Sequence, residues 1–358
     1  MGIEQRSDER LWLGIDIGFD VSAACLIDDS GQTVLEEEVL TSADGIGEFL
    51  DRTGSGPSVQ LIGLEASPYS PHLVRGLRDK GYPVAMFDSR QARKFLRISQ
   101  NKTDRNDARG LAQIALHGRN VVSEVRVKSV QCQMLRSQLV MRQHLVKNRI
   151  ATESAIKAII RLNGGDVRTA TPLKRLRKNV IAELERLKID AGLDLFDTVE
   201  PVLVIAEHLR KRLAAIDDQL RRAAEAQPVC TRFMAISGIG PIGALSFFTA
   251  VEEPSRFLRN EDIGPFLGMV PYFKQSGPIV RRRGISRMGN KMTRQHLVNA
   301  ASIHMRHAPD DCAIRVWGEN LRARLPAAKV RMAVARKLAV VMLAMWKSGS
   351  EYSPAGYA

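Results

Sequence analysis

The chain opens with short apolar runs of period two. Trp12-Leu13-Gly14-Ile15-Asp16-Ile17-Gly18 reads as an apolar strand interrupted by one acid. Val21 to Asp28 is a second strand, Asp29-Ser30-Gly31-Gln32 a turn, and Thr33 to Leu40 an alternating third. A polar stretch with a short helix leads to the strand Val59-Gln60-Leu61-Ile62-Gly63-Leu64-Glu65-Ala66. Pro71 to Lys80 is a predicted helix stopped by Gly81, Tyr82 to Phe87 a further strand, and Ser89 to Asn101 a basic helical stretch. Hairpin strands followed by strand–helix alternation imply a mixed sheet flanked by helices.

Beyond Val125 the period becomes helical. Met134 to Leu162 forms one long helix, ended by Asn163-Gly164-Gly165, and Pro172 to Ile189 a second. In a third, Val202, Ile205, Leu209, Leu213, Ile216 and Leu220 recur at alternating threes and fours, the spacing of a coiled-coil seam. An intramolecular bundle has the same pattern. Such a seam can pair protomers, so a homo-oligomer, dimer or tetramer, is expected through this region. Pro228 closes it. Then Gly238-Ile239-Gly240 lies between two helical segments, as in a helix-hairpin-helix, where glycines let backbone N–H groups approach a DNA phosphate. A plain helical corner is the alternative. A Gly- and Ser-punctuated loop leads into a helix from Met292 to Met305, and Ala327 to Trp346 is a last, basic amphipathic helix. The pattern divides the chain into regions 1–124, 125–228 and 229–358.

Charge sharpens the picture. The 53 Lys+Arg outnumber 39 Asp+Glu, for a net charge of +14. That excess favours a polyanionic partner, nucleic acid first. A basic membrane-surface protein is the rival reading, but the longest apolar run, Leu338 to Trp346, is too short to span a bilayer, and Met1 to Arg10 has no apolar signal core. No membrane partner is expected. Cys25, Cys132, Cys230 and Cys312 are scattered without a Cys-x-x-Cys pair, which suits reduced core thiols in a cytoplasm. The cations concentrate at Arg281, Arg282, Arg283, Arg287, Lys291 and Arg294, with no acid between the first and last. A charge run is commonly a solvated face. Here, arginine forks in a glycine-punctuated segment favour contact with a DNA backbone.

Four acids stand out. Asp16 and Glu65 each interrupt an apolar strand, where a carboxylate is costly unless paired, hydrogen-bonded or on a metal. Asp104 and Asp107, in Lys102-Thr103-Asp104-Arg105-Asn106-Asp107-Ala108, share one side of a helix's first turn. There the helix dipole alone would favour them. Clustered carboxylates repel unless a divalent cation neutralises them, and hard oxygen ligands suit Mg²⁺, which serves in-line phosphoryl transfer in two-metal sites. Gly14-Ile15-Asp16-Ile17-Gly18 before a hairpin also looks like the first phosphate loop of sugar kinases and actin-type ATPases. The second Asp-x-Gly loop and the Gly-Gly adenosine motif of that family are not found in the expected context.

The order of elements, with an acid on the first strand, one on the fourth and two on a later helix, resembles an α/β RuvC-like, ribonuclease H-type domain. Together with Ile236-Ser237-Gly238-Ile239-Gly240-Pro241 and Gln275-Ser276-Gly277 followed by Arg283 to Asn290, it is similar to the DEDD-type insertion-sequence transposases. These include the pilin-gene invertases and the bridge-RNA-guided recombinases. Gly268-Met269-Val270-Pro271 stands where the family usually has Gly-Leu-x-Pro.

The resemblance implies a RuvC-like N-terminal domain, a helical coiled-coil middle and a mainly α C-terminal transposase domain. It implies Mg²⁺ (or Mn²⁺ in its place) on Asp16, Glu65, Asp104 and Asp107, and Ser276 as nucleophile. Ser237, Ser286 and Tyr272 are the nearby alternatives. Gly238, Gly240, Lys102, Arg105 and the cations from Arg281 to Arg294 are the expected nucleic-acid contacts. Partners would be donor and target DNA and a structured noncoding guide RNA, in a prokaryotic cytoplasm at the nucleoid. A site completed only on assembly of protomers is a further expectation. The alternatives are a RuvC-like nuclease acting on branched DNA by water attack and a DNA-binding protein with a degenerate acidic site.

Overall fold

In the computed structural model the described residues are 10–97, 103–167, 173–276 and 279–356, with the side chains of 173–174, 274–276 and 279–283 left aside. They form two compact units, Met1–Ser129 and Val130–Ala358.

The first unit is built on a five-stranded sheet of order β3-β2-β1-β4-β5. The strands are β1 (Leu11–Asp16), β2 (Val21–Ile27), β3 (Thr33–Leu40), β4 (Val59–Glu65) and β5 (Val84–Phe87). β1, β2 and β3 pair antiparallel, whereas β4 is parallel to β1, and β5 to β4. The β2–β3 turn is set by Asp28, whose carboxylate accepts from the Ser30 and Gln32 amides, and by Gly31 at φ +81°.

Alternation assigns the two faces of the sheet. Leu11, Leu13, Ile15, Ile62 and Leu64 pack against Ile46, Phe49 and Leu50 of α1 (Ala43–Arg52) and Leu73, Val74 and Leu77 of α2 (Ser70–Asp79). The opposite face meets α4 (Asp104–Gln113), which continues into a π-helical turn at Ile114–Gly118. There Leu61, Ala85 and Phe87 touch Leu111, Ile114 and Ala115, and Ala23, Cys25 and Ile27 touch Ala108 and Ala112. Gly14 makes this approach possible: a Cβ there would sit 2.0 Å from the Ala108 carbonyl oxygen and 2.3 Å from the Ala112 nitrogen. The basic helix α3 (Ser89–Leu96) is capped by Asp88, which accepts from the Arg90 and Gln91 amides.

The second unit is mostly helical. It begins with α5 (Val130–Leu162), α6 (Leu173–Ala191) and α7 (Phe196–Glu225). The inward face of α7 is Val199, Leu203, Ala206, Arg210, Leu213, Leu220 and Ala224. Leu213 and Leu220 of the expected seam belong to it, while Ile205 is 54% exposed. α7 packs on α5 and α6 within the chain. Ion pairs cross that packing: Arg142 of α5 with Asp217, and Arg177 of α6 with Glu200 and Glu207, are partly exposed, whereas Arg210 donates to Glu153 at 2.6 Å with both side chains 8% exposed.

After these come α8 (Pro228–Met234), α9 (Pro241–Val251), α10 (Ile263–Phe266), the hairpin β6 (Pro271–Ser276) and β7 (Ile279–Ile285), α11 (Lys291–His307), α12 (Ala313–Arg322) and α13 (Ala327–Ser348). α9 is apolar nearly all round and is buried among its neighbours, with Phe247 edge-on to Phe233 and Phe248 stacked on Trp346. Two expectations change here. The segment expected as a loop is a paired hairpin, with Lys274 opposite Arg281 and Ser276 opposite Ile279. The aromatic pair Tyr272-Phe273 and the β-branched pair Ile279-Val280 suit strands, and the glycine and serine content concealed them. Pro228 does not merely end a region; it opens α8 at the first-turn position that proline favours. All four cysteines are free and buried, and no described helix is long and apolar enough to cross a membrane.

Candidate functional site

The four acids fall at one end of the first unit's sheet. Asp16 and Glu65 are the last residues of β1 and β4, which are parallel neighbours, and Ile15 pairs with Leu64 one position earlier. Gly14 and Gly63 lie beneath α4, so alternation directs Asp16 and Glu65 to the face that α4 covers. α4 runs back along β1: Ala108 and Ala112 meet Gly14, and at its far end Gln113 donates to the Gly31 carbonyl at 2.8 Å. Gly31 lies in the turn beside the start of β1, so the first turn of α4 lies toward the strand ends. That turn carries Asp104 and Asp107 and is capped by Thr103, whose hydroxyl accepts from the Asn106 amide.

Magnitudes separate two explanations. A helix dipole is worth about 0.3–1 kcal/mol per acid, enough to account for Asp104 and Asp107. It offers nothing to Asp16 and Glu65, which close half-buried strand ends. Glu65, 22% exposed, has Arg93 of α3 at 3.4 Å. Sequence reading did not single out Arg93, since one arginine in a basic helix carries no distinguishing signal. Arg105 is exposed beside Asp104, and Lys102 lies outside the described residues.

The donor chemistry of the site, four hard carboxylates, fits Mg²⁺. Among the described residues, however, no group of three or more His, Cys, Asp or Glu side chains stands close enough to hold a metal ion. The elements that carry the acids end or begin toward one end of the sheet.

The candidates of the second unit are placed less uniformly. Ser276 ends β6 opposite Ile279, and its side chain lies outside the described ones, as do those of Arg281, Arg282 and Arg283. Of the alternatives, Tyr272 is 51% exposed. The Ser286 hydroxyl is buried with no hydrogen-bond partner among the described residues, and the Ser237 carbonyl receives the ring Nδ1 of His304 at 2.9 Å. Arg287 and Lys291 are exposed, with Arg287 in left-handed backbone at φ +56°.

Arg294 does not stand with them. It is 8% exposed, donates to the Leu267 carbonyl at 2.7 Å, and burial lowers its pKa, with Arg287 adding to the shift. Its place is in the packing of α11 against the residue that follows α10, because position four of α11 turns inward. Gly238, at φ +92°, presses on α11 with only 2.5 Å between a would-be Cβ and the Ala300 carbonyl. Gly240, the residue before α9, is exposed and open.

A mixed sheet of this order, with carboxylates at the ends of two central parallel strands and on the helix across them, is consistent with a RuvC-like domain. Comparison with known proteins extends this to the whole chain. A DEDD-type IS110 transposase profile matches residues 13–162, and one for the transposase IS116/IS110/IS902 family matches residues 230–313. The chain is 28% identical to the transposase for insertion sequence element IS1111A of Coxiella burnetii, over 93% of this chain and 88% of that protein. It is 24% identical to a Pseudomonas aeruginosa protein named probable family 20 transposase, over 82% and 86%. With the transposase for insertion sequence element IS1328 of Yersinia enterocolitica it shares 22% identity, over 82% and 85%. The chain belongs to the DEDD-type IS110 family of transposases.

Proposed function

We propose that this transposase is a Mg²⁺-dependent recombinase that cuts and rejoins DNA through a serine–DNA intermediate, guided by a structured noncoding RNA. The observation that carries the reading is the arrival of Asp16, Glu65, Asp104 and Asp107 at one end and one face of the sheet. These four carboxylates would hold the cation, with Mn²⁺ as a substitute. Bound there, it would lower the pKa of an attacking hydroxyl and offset charge developing on the phosphate.

Ser276 supplies the nucleophile. Its hydroxyl gives up a proton to a base, its oxygen bonds to phosphorus, and the displaced strand leaves as a hydroxyl end. The new phosphodiester keeps the energy of the one broken, so a hydroxyl from a second strand reverses the step without ATP. Arg287, Lys291 and the hairpin arginines hold backbone phosphates, and Gly240 with the first turn of α9 offers amides to another. In the first unit, Arg93 and Arg105 would contact phosphate near the acids. The helical region from Val130 to Glu225 pairs protomers. The RNA guide rests on family likeness and on the basic surface.

The test is a pair of substitutions in the full-length protein. Asp16→Ala abolishes strand cleavage while DNA affinity persists, because affinity comes from Lys and Arg contacts. Ser276→Ala abolishes both recombination and the covalent protein–DNA adduct trapped on denaturing gels. If Ser276→Ala still cut branched DNA at the wild-type rate, water would be the nucleophile and the protein a nuclease. If Asp16→Ala changed nothing, the acidic site would be degenerate. RNA that copurifies with the protein and restores target selection tests the guide.

A further inference from the structure

The second unit contains a concave surface that none of the residues discussed so far lines. It is a cleft of about 660 Å³ formed by α11, the end of α12 and the start of α13. That volume lies within the roughly 300–1,000 Å³ usual for clefts that enclose a small ligand. Three helices each contribute one guanidinium to it: Arg306, Arg322 and Arg331. Arg322 has Glu319 at 3.4 Å. Arg306 spends its Nε on the Ser302 carbonyl at 3.0 Å, and among the described residues neither Arg306 nor Arg331 has a carboxylate within salt-bridge distance. The chain has no acid between Glu319 and Glu351. The cleft is therefore a site of uncompensated positive charge.

Its walls are partly apolar. Ile303, Met305 and Val330 line it between the arginines, with Val330 3% exposed, and Asn299 supplies an amide. A free inorganic anion would gain nothing from those apolar walls. A duplex presents convex backbone with its bases stacked inside, so it could touch the rim but not the interior. Both parts of the cleft suit a flat, weakly polar ring attached to a phosphate.

We propose that this cleft captures an unpaired nucleotide of a nucleic-acid strand. The base enters against Ile303, Met305 and Val330, the guanidinium planes flank it, and the adjoining phosphates lie on Arg306 and Arg331. Asn299 meets the base edge. The site would hold a displaced or looped-out nucleotide while chemistry proceeds elsewhere.

The experiment uses the full-length protein and short single-stranded DNA and RNA oligonucleotides, each carrying one 4-thiouracil base for photo-crosslinking. Crosslinks are expected on peptides containing Met305 or Val330, and are lost when the oligonucleotide is annealed to its complement. Arg306→Gln/Arg331→Gln should weaken single-strand binding on the order of ten-fold, and the salt dependence should lose a slope of about 0.7 per phosphate contact removed. Both positions are exposed, so the variant should melt with the wild type. Asn299→Asp, which adds a negative charge at the rim, should give the same loss independently. Asp16→Ala should crosslink as the wild type does, which separates this inference from the proposed chemistry. Crosslinks that map only to other segments, persist in the duplex, or survive the double substitution would overturn it.

Discussion

The two units treat their charged residues in opposite ways. In the first, acids from three separate segments are carried toward one end of the sheet by regular elements: two parallel strands ending side by side and a helix starting over them. In the second, cations close together in sequence are dispersed. Arg287 and Lys291 face solvent while Arg294, one helical turn on, is buried with a carbonyl partner. Convergence in space thus follows from topology and not from proximity in sequence. A charged residue in a strand interior already implies a neighbour, whereas one in a helix gives no indication of the side it faces.

The largest effect should come from breaking the convergent set. Asp16→Ala should lower the cleavage rate by about a thousand-fold or more, since several kcal/mol of charge stabilisation are lost, as read in single-turnover cleavage assays. Next in size is the buried pair of the second unit. Glu153→Ala leaves the Arg210 guanidinium buried without its anion and should cost about 3–5 kcal/mol in denaturant unfolding. Replacing both members with apolar residues should restore much of it, because the pair itself contributes little net stability once its desolvation is counted.

How much of this was legible in the sequence follows the same division. The strands and the turn at Asp29 to Gln32 could be read because period two and a glycine-containing turn are strong local signals. That Asp16 and Glu65 share a face could not, since it depends on β4 lying parallel against β1. The crossing of α4 depended on Gly14, whose lack of a side chain gives no sign of what it admits. The hairpin from Pro271 to Ile285 was hidden by its glycines and serines, and the inward turn of Arg294 by its place in a run of cations. The seam of α7 was half legible: the repeat fits both a bundle and a coiled coil, and burial follows Leu203, Ala206 and Arg210 rather than Val202, Ile205 and Leu209.

Smaller perturbations sharpen the contrast. Gly14→Ala forces a methyl against the Ala108 carbonyl and should destabilise the first unit by about 1–3 kcal/mol, seen as a lower melting temperature. In the second unit, burial lowers the pKa of His304 and His296 below 6.5; Arg315 adds to the first shift, against the Ser237 hydrogen bond, and Arg142 adds to the second. The unfolded chain then takes up protons first as pH falls through about 6.5, so stability is held above that value and lost below it. For His304 this is measurable as a melting temperature that falls as pH drops below about 6.5 and falls less in a His304→Gln variant. Thr103→Ala, which removes the cap of α4, should cost about 1 kcal/mol and leave the acids in place.

The shared cation is tested most directly by titrating the full-length protein with Mn²⁺ and following the free ion by electron paramagnetic resonance. Wild type would be compared with Asp16→Asn, Glu65→Gln, Asp104→Asn and Asp107→Asn. Each neutral replacement is expected to weaken binding on the order of ten-fold or more while the melting temperature stays near wild type. Any one of the four binding Mn²⁺ as tightly as the wild type would remove that residue from the site, and a wild type that binds none would contradict the account altogether.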